Sequence, residues 1–236
     1  MILFQILVLL SQLVGLAGIT LIGVWMGKLG GFGWDGSGKE FNLHPLLMTI
    51  GLIFLYAEAI LAYRVFRNSK KVYIKSLHGI IHMLAFVCAV VGLKAVFDNH
   101  NANNISNMYS LHSWIGLTTV ILFGLQLLCG FVTFLFPGLQ QSLRAVYLPT
   151  HVYFGVFIFG MAVATALMGI TEKLLFTLDE KYHNLPTTAI IANTAGVLLV
   201  LFALLVGYVV CNSTWKRRDV IDAEEANNLL PGRSGY

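Results

Sequence analysis

Charge is what this sequence has least of. Lysine, arginine, aspartate and glutamate make up 11% of 236 residues, against ~25% in an ordinary soluble domain. Hydrophobic residues reach 57% and the mean hydropathy is +0.78, which excludes a water-soluble globule with a charged surface. Cysteine is scarce: Cys88, Cys129 and Cys211 lie within or at the ends of apolar runs, so no disulfide framework outside a membrane is implied. No basic stretch precedes the first apolar run, and that run exceeds the apolar part of a signal peptide, so it reads as a retained helix. Classical zinc-ligand spacings are missing, and no repeat of ~20–50 residues is evident. The formal net charge of +4 is gathered in particular loops. It therefore speaks to membrane orientation and not to nucleic-acid binding.

What is present is length of apolar run. About 20 apolar residues cross the ~30 Å hydrocarbon core as a helix. Six such runs occur, at about 2–27, 46–66, 76–98, 111–134, 150–170 and 188–211. The expected fold is all-α, an integral membrane six-helix bundle in which helices 2–5 form the four-helix core. Residues 1–214 are expected to form one transmembrane domain, and 215–236 a disordered cytoplasmic tail. The segment between runs two and three holds Arg64, Arg67, Lys70, Lys71 and Lys75, and the segment between runs four and five holds Arg144, with no acid in either. The tail begins Trp215-Lys216-Arg217-Arg218. With six spans these stretches share one side, and lysine/arginine excess marks the cytoplasm. Both termini are thus expected to be cytoplasmic. The other three loops mix signs or are nearly neutral.

Four histidines stand at the ends of apolar runs. His44 and His112 begin runs two and four, which enter from the outer side; His78 and His151 begin runs three and five, which enter from the cytoplasm. From His44 to Arg64 is twenty residues, or ~30 Å of helix, so the two pairs belong to opposite faces. A lone histidine at a helix end is ordinarily interfacial. Four of them, two to a side, call for more, because ionisable groups in membrane segments are costly and usually functional. Two imidazoles on facing helices can clamp a haem. They can also hold a divalent metal or relay protons. His82, one helical turn beyond His78, competes with it.

The strings FNLHPLLM at 41–48, YRVFRN at 63–68, KSLHG at 75–79, NMYSLHSWIG at 107–116, SLRAVYLPTHVYFG at 142–155 and TWKR at 214–217 resemble the cytochrome b561 family of transmembrane ascorbate-dependent oxidoreductases. The resemblance runs from about residue 33 to 217. It implies two b haems, one held by His44 with His112 and the other by His78 with His151, and makes His82 a neighbour. No CxxCH is present, so the haems would be bound non-covalently. Respiratory cytochromes b place two ligands on each of two helices, and that pattern does not occur here. The implied reaction carries an electron from cytoplasmic ascorbate through both haems to a luminal or extracellular acceptor, either ferric iron or monodehydroascorbate. The rival from another class is a histidine-lined metal or proton transporter without haem. A haem-bearing anchor for a partner enzyme would need a docking domain that the chain does not offer.

Ascorbate is an anion at neutral pH, so a face that oxidises it needs fixed cations. Lys71 and Lys75 precede His78 by seven and three residues, and Arg144 precedes His151 by seven. The resemblance assigns all three to ascorbate, while orientation alone accounts for Arg64, Arg67 and Lys70. In relatives that reduce ferric iron, the histidine of the loop before run four is implicated in the acceptor site. That marks His100 with Asn99, ligand types that suit a transition metal. Tyr109 and Trp114 flank His112 and either line that site or join the interfacial aromatic belt. Trp34-Asp35-Gly36 is expected to lid the same haem, and His183 to be plain surface. Glu225 to Leu230 fits an acidic dileucine sorting signal, favouring an endosomal, lysosomal or secretory-vesicle membrane over the plasma membrane. Asn104-Ile105-Ser106 is a glycosylation sequon on the outer side. Helices 1 and 6 carry no ligand and are where a homodimer contact would fall.

Overall fold

The structure is a computed structural model that describes residues 2–217. Arg218 and the stretch Glu225 to Leu230 lie outside the described residues. Six helices are long and apolar enough to cross a membrane: α1 (Ile2–Lys28), α2 (Gly38–Val65), α3 (Lys71–Ala102), α4 (Leu111–Leu135), α5 (Gln141–Leu178) and α6 (Thr187–Cys211). No strand occurs among the described residues. The all-α, multi-pass architecture follows from the length of the apolar runs, because a helix satisfies its own backbone hydrogen bonds where no water is available.

Helix ends differ from the apolar runs. α2 starts at Gly38, α3 at Lys71 and α5 at Gln141, and α5 continues to Leu178. Hydropathy registers only the hydrocarbon core, whereas the backbone ladder runs on into water wherever the residues are good helix formers such as Lys, Arg and Gln. Pro149 sits inside α5, where it removes one backbone donor without ending the helix. As a result Lys71, Lys75 and Arg144 project from helices and not from loops.

Helices α2–α5 surround the histidines, and α1 packs along α6 beside them. Small residues permit that approach: a Cβ built on Gly15 would lie 2.8 Å from the Phe202 ring. Two segments widen into π-helix, Thr49–Leu55 in α2 and Phe131–Leu135 in α4. Such turns are frequent at functional sites. One follows His44 and the other directly follows Gly130, on which the His151 ring rests. Inside the first, Gly51 brings α2 against α3, where a Cβ would come within 2.8 Å of the Ala85 carbonyl oxygen. Arg64 and Arg217 tie the helix ends at the basic end of the bundle. Arg64 donates to the Val210 carbonyl, and Arg217 donates to those of Arg67 and Ser69 at 3.0 and 2.6 Å.

Candidate functional site

The four histidines meet as two pairs. The His44 and His112 ring centres are 6.1 Å apart, at the end of the bundle far from the arginines, and those of His78 and His151 are 6.3 Å apart at the basic end. His44 Nδ1 contacts the Gly92 carbonyl at 3.1 Å, His112 Nδ1 that of Thr165 at 2.9 Å, and His78 Nδ1 that of Ala59 at 2.8 Å. A carbonyl can only accept, so each of these Nδ1 atoms carries a proton, and in the neutral ring that leaves the Nε2 lone pair for a metal. His151 Nδ1 is buried without a partner, and its ring packs against the stacked pair Phe134 and Tyr147. Bonds of ~2.0–2.1 Å to one first-row ion would leave two trans imidazoles with ring centres roughly 6 Å apart. Both pairs have that spacing.

Three helices give the distance between the pairs. His44 and Ala59 on α2, His78 and Gly92 on α3, and His151 and Thr165 on α5 are 15, 14 and 14 residues apart. At 1.5 Å per residue the two levels are ~21 Å apart. The layer between them is aromatic and buried. Tyr56 packs on Phe123 and Phe159 with ring centres 5.0 and 5.5 Å away, and its hydroxyl donates to the Gly155 carbonyl at 2.8 Å. His82 belongs to this layer. It is 7% exposed, lies 4.5 Å from the His78 ring and 4.8 Å from Tyr56, and its Nδ1 has no partner. The Nδ1 bond to Ala59 distinguishes His78 from it.

Glycines make room for the rings. A Cβ on Gly169 would lie 2.6 Å from His112 Cε1, and one on Gly130 2.9 Å from His151 Cε1. Neither position stands out in the sequence, because 23 glycines are scattered through it. On α5, Thr165, Gly169 and Lys173 follow at four-residue steps on one face: a carbonyl for His112, a floor for its ring, and a cation. That spacing would have located Lys173 and Gly169 once the His112 face was known.

A cavity of about 480 Å³ opens between His44 and His112. Its rim includes Phe41, Asn99, His100, Tyr109, Glu172 and Lys173. His100 stacks on Phe41 with ring centres 6.4 Å apart and contacts Asn107 Oδ1 through Nδ1 at 3.2 Å. Asn99 is 5% exposed, and its amide donates to the Gly36 and Ser37 carbonyls at 3.0 and 2.8 Å. Its amide nitrogen thus holds the α1–α2 loop and leaves only the side-chain oxygen for a ligand. Tyr109 packs against Phe176, and burial together with the Glu172 carboxylate pushes its phenol up, so it stays protonated. Trp114 is 65% exposed, donates to the Met108 carbonyl at 2.7 Å and is absent from this rim. Trp34 is also absent from it and lies over Lys94; the first turns of α2, at Gly38 and Phe41, do the covering instead. Asp35 caps its own loop, and the Ser37 hydroxyl and amide hold its carboxyl below the ordinary value. His183 and Asn104 are exposed.

At the basic end the cations divide by contact. Arg64, Arg67 and Arg217 are spent on backbone carbonyls, and Arg67 also lies over the Phe4 ring. Lys75 Nζ donates to the Phe134 carbonyl at 3.3 Å, and the Phe134 ring is 5.2 Å from that of His151. Lys75 also feels the charges of Arg144 and Lys71. The Arg144 Nε is buried without a partner. Among the described residues no three His, Cys, Asp or Glu side chains gather as a metal-ion site, so paired imidazoles are the feature to be explained.

Residues 43–177 match the family described as eukaryotic cytochrome b561. The chain belongs to that family. It is 49% identical over 216 residues to the transmembrane ascorbate-dependent reductase CYB561 of Ovis aries, covering 91% of this chain and 84% of that protein. It is 48% identical over 208 residues to the protein of the same name from Homo sapiens, covering 88% and 82%. It is 50% identical over 211 residues to the plasma membrane ascorbate-dependent reductase CYBRD1 of Xenopus laevis, covering 88% and 75%. Membership implies haem b, and the residues fit it: three of the four imidazoles are oriented by carbonyls, both pairs have ring centres about 6 Å apart, glycines make room for His112 and His151, and a cavity opens between one pair. Gly169→Ala tests the floor. Alanine is the better helix former by ~1 kcal/mol, so the helix itself does not suffer, yet its methyl group would displace His112. We expect most of the haem at the His44/His112 level to be lost, read as haem per chain. A variant with unchanged haem content and Soret band would refute the close contact.

Proposed function

We propose that this protein carries electrons across its membrane from cytoplasmic ascorbate, through two b haems, to an acceptor on the far side. His44 and His112 would hold one haem, His78 and His151 the other. The observation that carries this reading is the pair of opposed histidine sets, ~21 Å apart along the helices, with Lys71, Lys75 and Arg144 gathered at the end that holds His78 and His151. Each haem supplies the one-electron couple that side chains lack. The protein does the rest. Carbonyls at Gly92, Thr165 and Ala59 hold the ligand tautomers, which raises imidazole basicity. The Tyr56 layer keeps water out between the two levels. Lys71, Lys75 and Arg144 draw the ascorbate anion to the His78/His151 level. That end is cytoplasmic by its lysine and arginine excess, which puts both termini in the cytoplasm. On the far side ferric iron or monodehydroascorbate would be reduced at the rim that bears His100, Tyr109 and the Asn99 side-chain oxygen. Trp114 belongs to the interfacial belt. The Glu225 to Leu230 sequence favours an endosomal, lysosomal or secretory-vesicle membrane.

A visible spectrum of the purified protein tests the reading directly. We expect a Soret band, two haems per chain, and reduction of both on adding ascorbate. A colourless protein that binds zinc through these histidines would replace the oxidoreductase with a metal transporter.

A further inference from the structure

The far-end cavity carries one charge of each sign, and the two do not pair. Among the described residues that line it, Lys173 is the sole lysine or arginine and Glu172 the sole carboxylate. Glu172 accepts the Ser110 hydroxyl at 3.1 Å and interacts with Tyr109. Lys173 Nζ lies 3.9 Å from the centre of the Phe41 ring. The ion pair found among the described residues is between Lys94 and Asp98, so no carboxylate there neutralises Lys173. Phe41 in turn lies 6.3 Å from the His44 ring and 6.4 Å from the His100 ring. The half-buried ammonium is thus fixed on the aromatic side chain that joins a ligand histidine to the rim. A partly desolvated cation gains from an aromatic face but gains more from a counter-ion.

We propose that Lys173 is the carboxylate seat of this cavity, its ammonium placed by Phe41 to bind a carboxylate that enters above His44 and His112. The seat deepens the reading of the His44/His112 level as a haem site and rests on it. Two sources offer that chemistry: a propionate of the haem, and the carboxylates of a chelated ferric acceptor. Position on α5 supports either source, since Lys173 stands one turn beyond the Gly169 floor of His112 and so faces the mouth of the cavity.

The test compares full-length wild type with Lys173→Gln and Lys173→Arg. Haem content and an optical redox titration are measured first. Reoxidation of the ascorbate-reduced protein follows, with ferric citrate as the anionic oxidant and hexaammineruthenium(III) as the cationic one. If the carboxylate is a propionate, the Gln variant lowers the midpoint potential of the far-end haem, because a positive charge that favours the added electron is gone, and it holds that haem less firmly. If it belongs to the acceptor, the potential stays put and the KM for ferric citrate rises about tenfold, the scale of one partly screened charge, while reoxidation by the ruthenium cation does not slow. The Arg variant restores the wild-type value in either case, which a merely structural lysine would not require. A Gln variant with unchanged potential and unchanged KM for ferric citrate overturns the seat. Absence of a Soret band in wild type would sink the haem reading itself. The seat is then judged by citrate binding to the metal-free protein, and equal affinity in wild type and Gln variant would overturn it.

Discussion

Replacing His112 with alanine is expected to remove the far-end haem and leave the other in place. The imidazole is held on two sides, by the Thr165 carbonyl at 2.9 Å and by the Gly169 backbone, so it is built to stand at one point opposite His44. Alanine would leave that haem without one of the two imidazoles proposed to hold it and would open a void beside it in a low-dielectric interior. The His78/His151 level is ~21 Å away along the helices, with the Tyr56 layer between, and should not respond. The same logic applies to His44, His78 and His151, each variant falling to about one haem per chain. His82→Asn is the control: it sits beside His78 without a carbonyl on its Nδ1, and we expect it to keep two haems. Pyridine haemochrome assays on the five variants decide the matter. Two haems retained in any of the four ligand variants, or one lost in His82→Asn, would show that the pairs are misassigned.

Neutralising the basic end is expected to have the second largest effect. With Lys71, Lys75 and Arg144 all changed to Gln, reduction by ascorbate should slow roughly 10–100-fold at low salt. Both haems should remain, and excess dithionite should still reduce them fully. The reason is local. Lys75 reaches the Phe134–Tyr147–His151 cluster through the Phe134 carbonyl and interacts electrostatically with Arg144 and Lys71, whereas Arg64, Arg67 and Arg217 donate to carbonyls that tie helix ends together. Ionic strength gives an independent check, because charges further apart than ~10 Å are screened at 0.1 M salt. The wild-type rate should fall as salt is added, and the triple variant's rate should be nearly flat. Unchanged ascorbate kinetics in the triple variant would place the reductant elsewhere. Arg64→Gln serves as the contrast: it removes a bond to Val210, so it should reduce thermal stability more than ascorbate kinetics.

Much is legible in the sequence. Low charge and six long apolar runs determine a membrane bundle, since only helices with self-satisfied backbones cross lipid in that length. The sides of the four histidines follow from counting spans, and the cationic approach to His78 and His151 follows from loop composition. Which way any side chain points did not follow, and the reason is physical. Helices that are apolar all round carry no polar stripe to show which face turns inward, so rotation about each axis is set by packing alone. Tyr109 and Trp114 are five residues apart on the same stretch, yet one lines the cavity and the other faces away from it. Asn99 and His100 are adjacent, yet the first is used to hold a loop and the second stacks on Phe41. Polar residues beyond the hydrocarbon are equally silent about where a helix ends, so Lys75 and Arg144 read as loop charges until the backbone ladder placed them on α3 and α5. The sequence by itself determined the class of protein, the number of crossings and the level of each histidine. Only the tertiary structure decided which carbonyl orients each ring, which glycine yields to it, and that Lys173 stands on Phe41 above the far-end pair, because those are contacts between helices that share no local sequence.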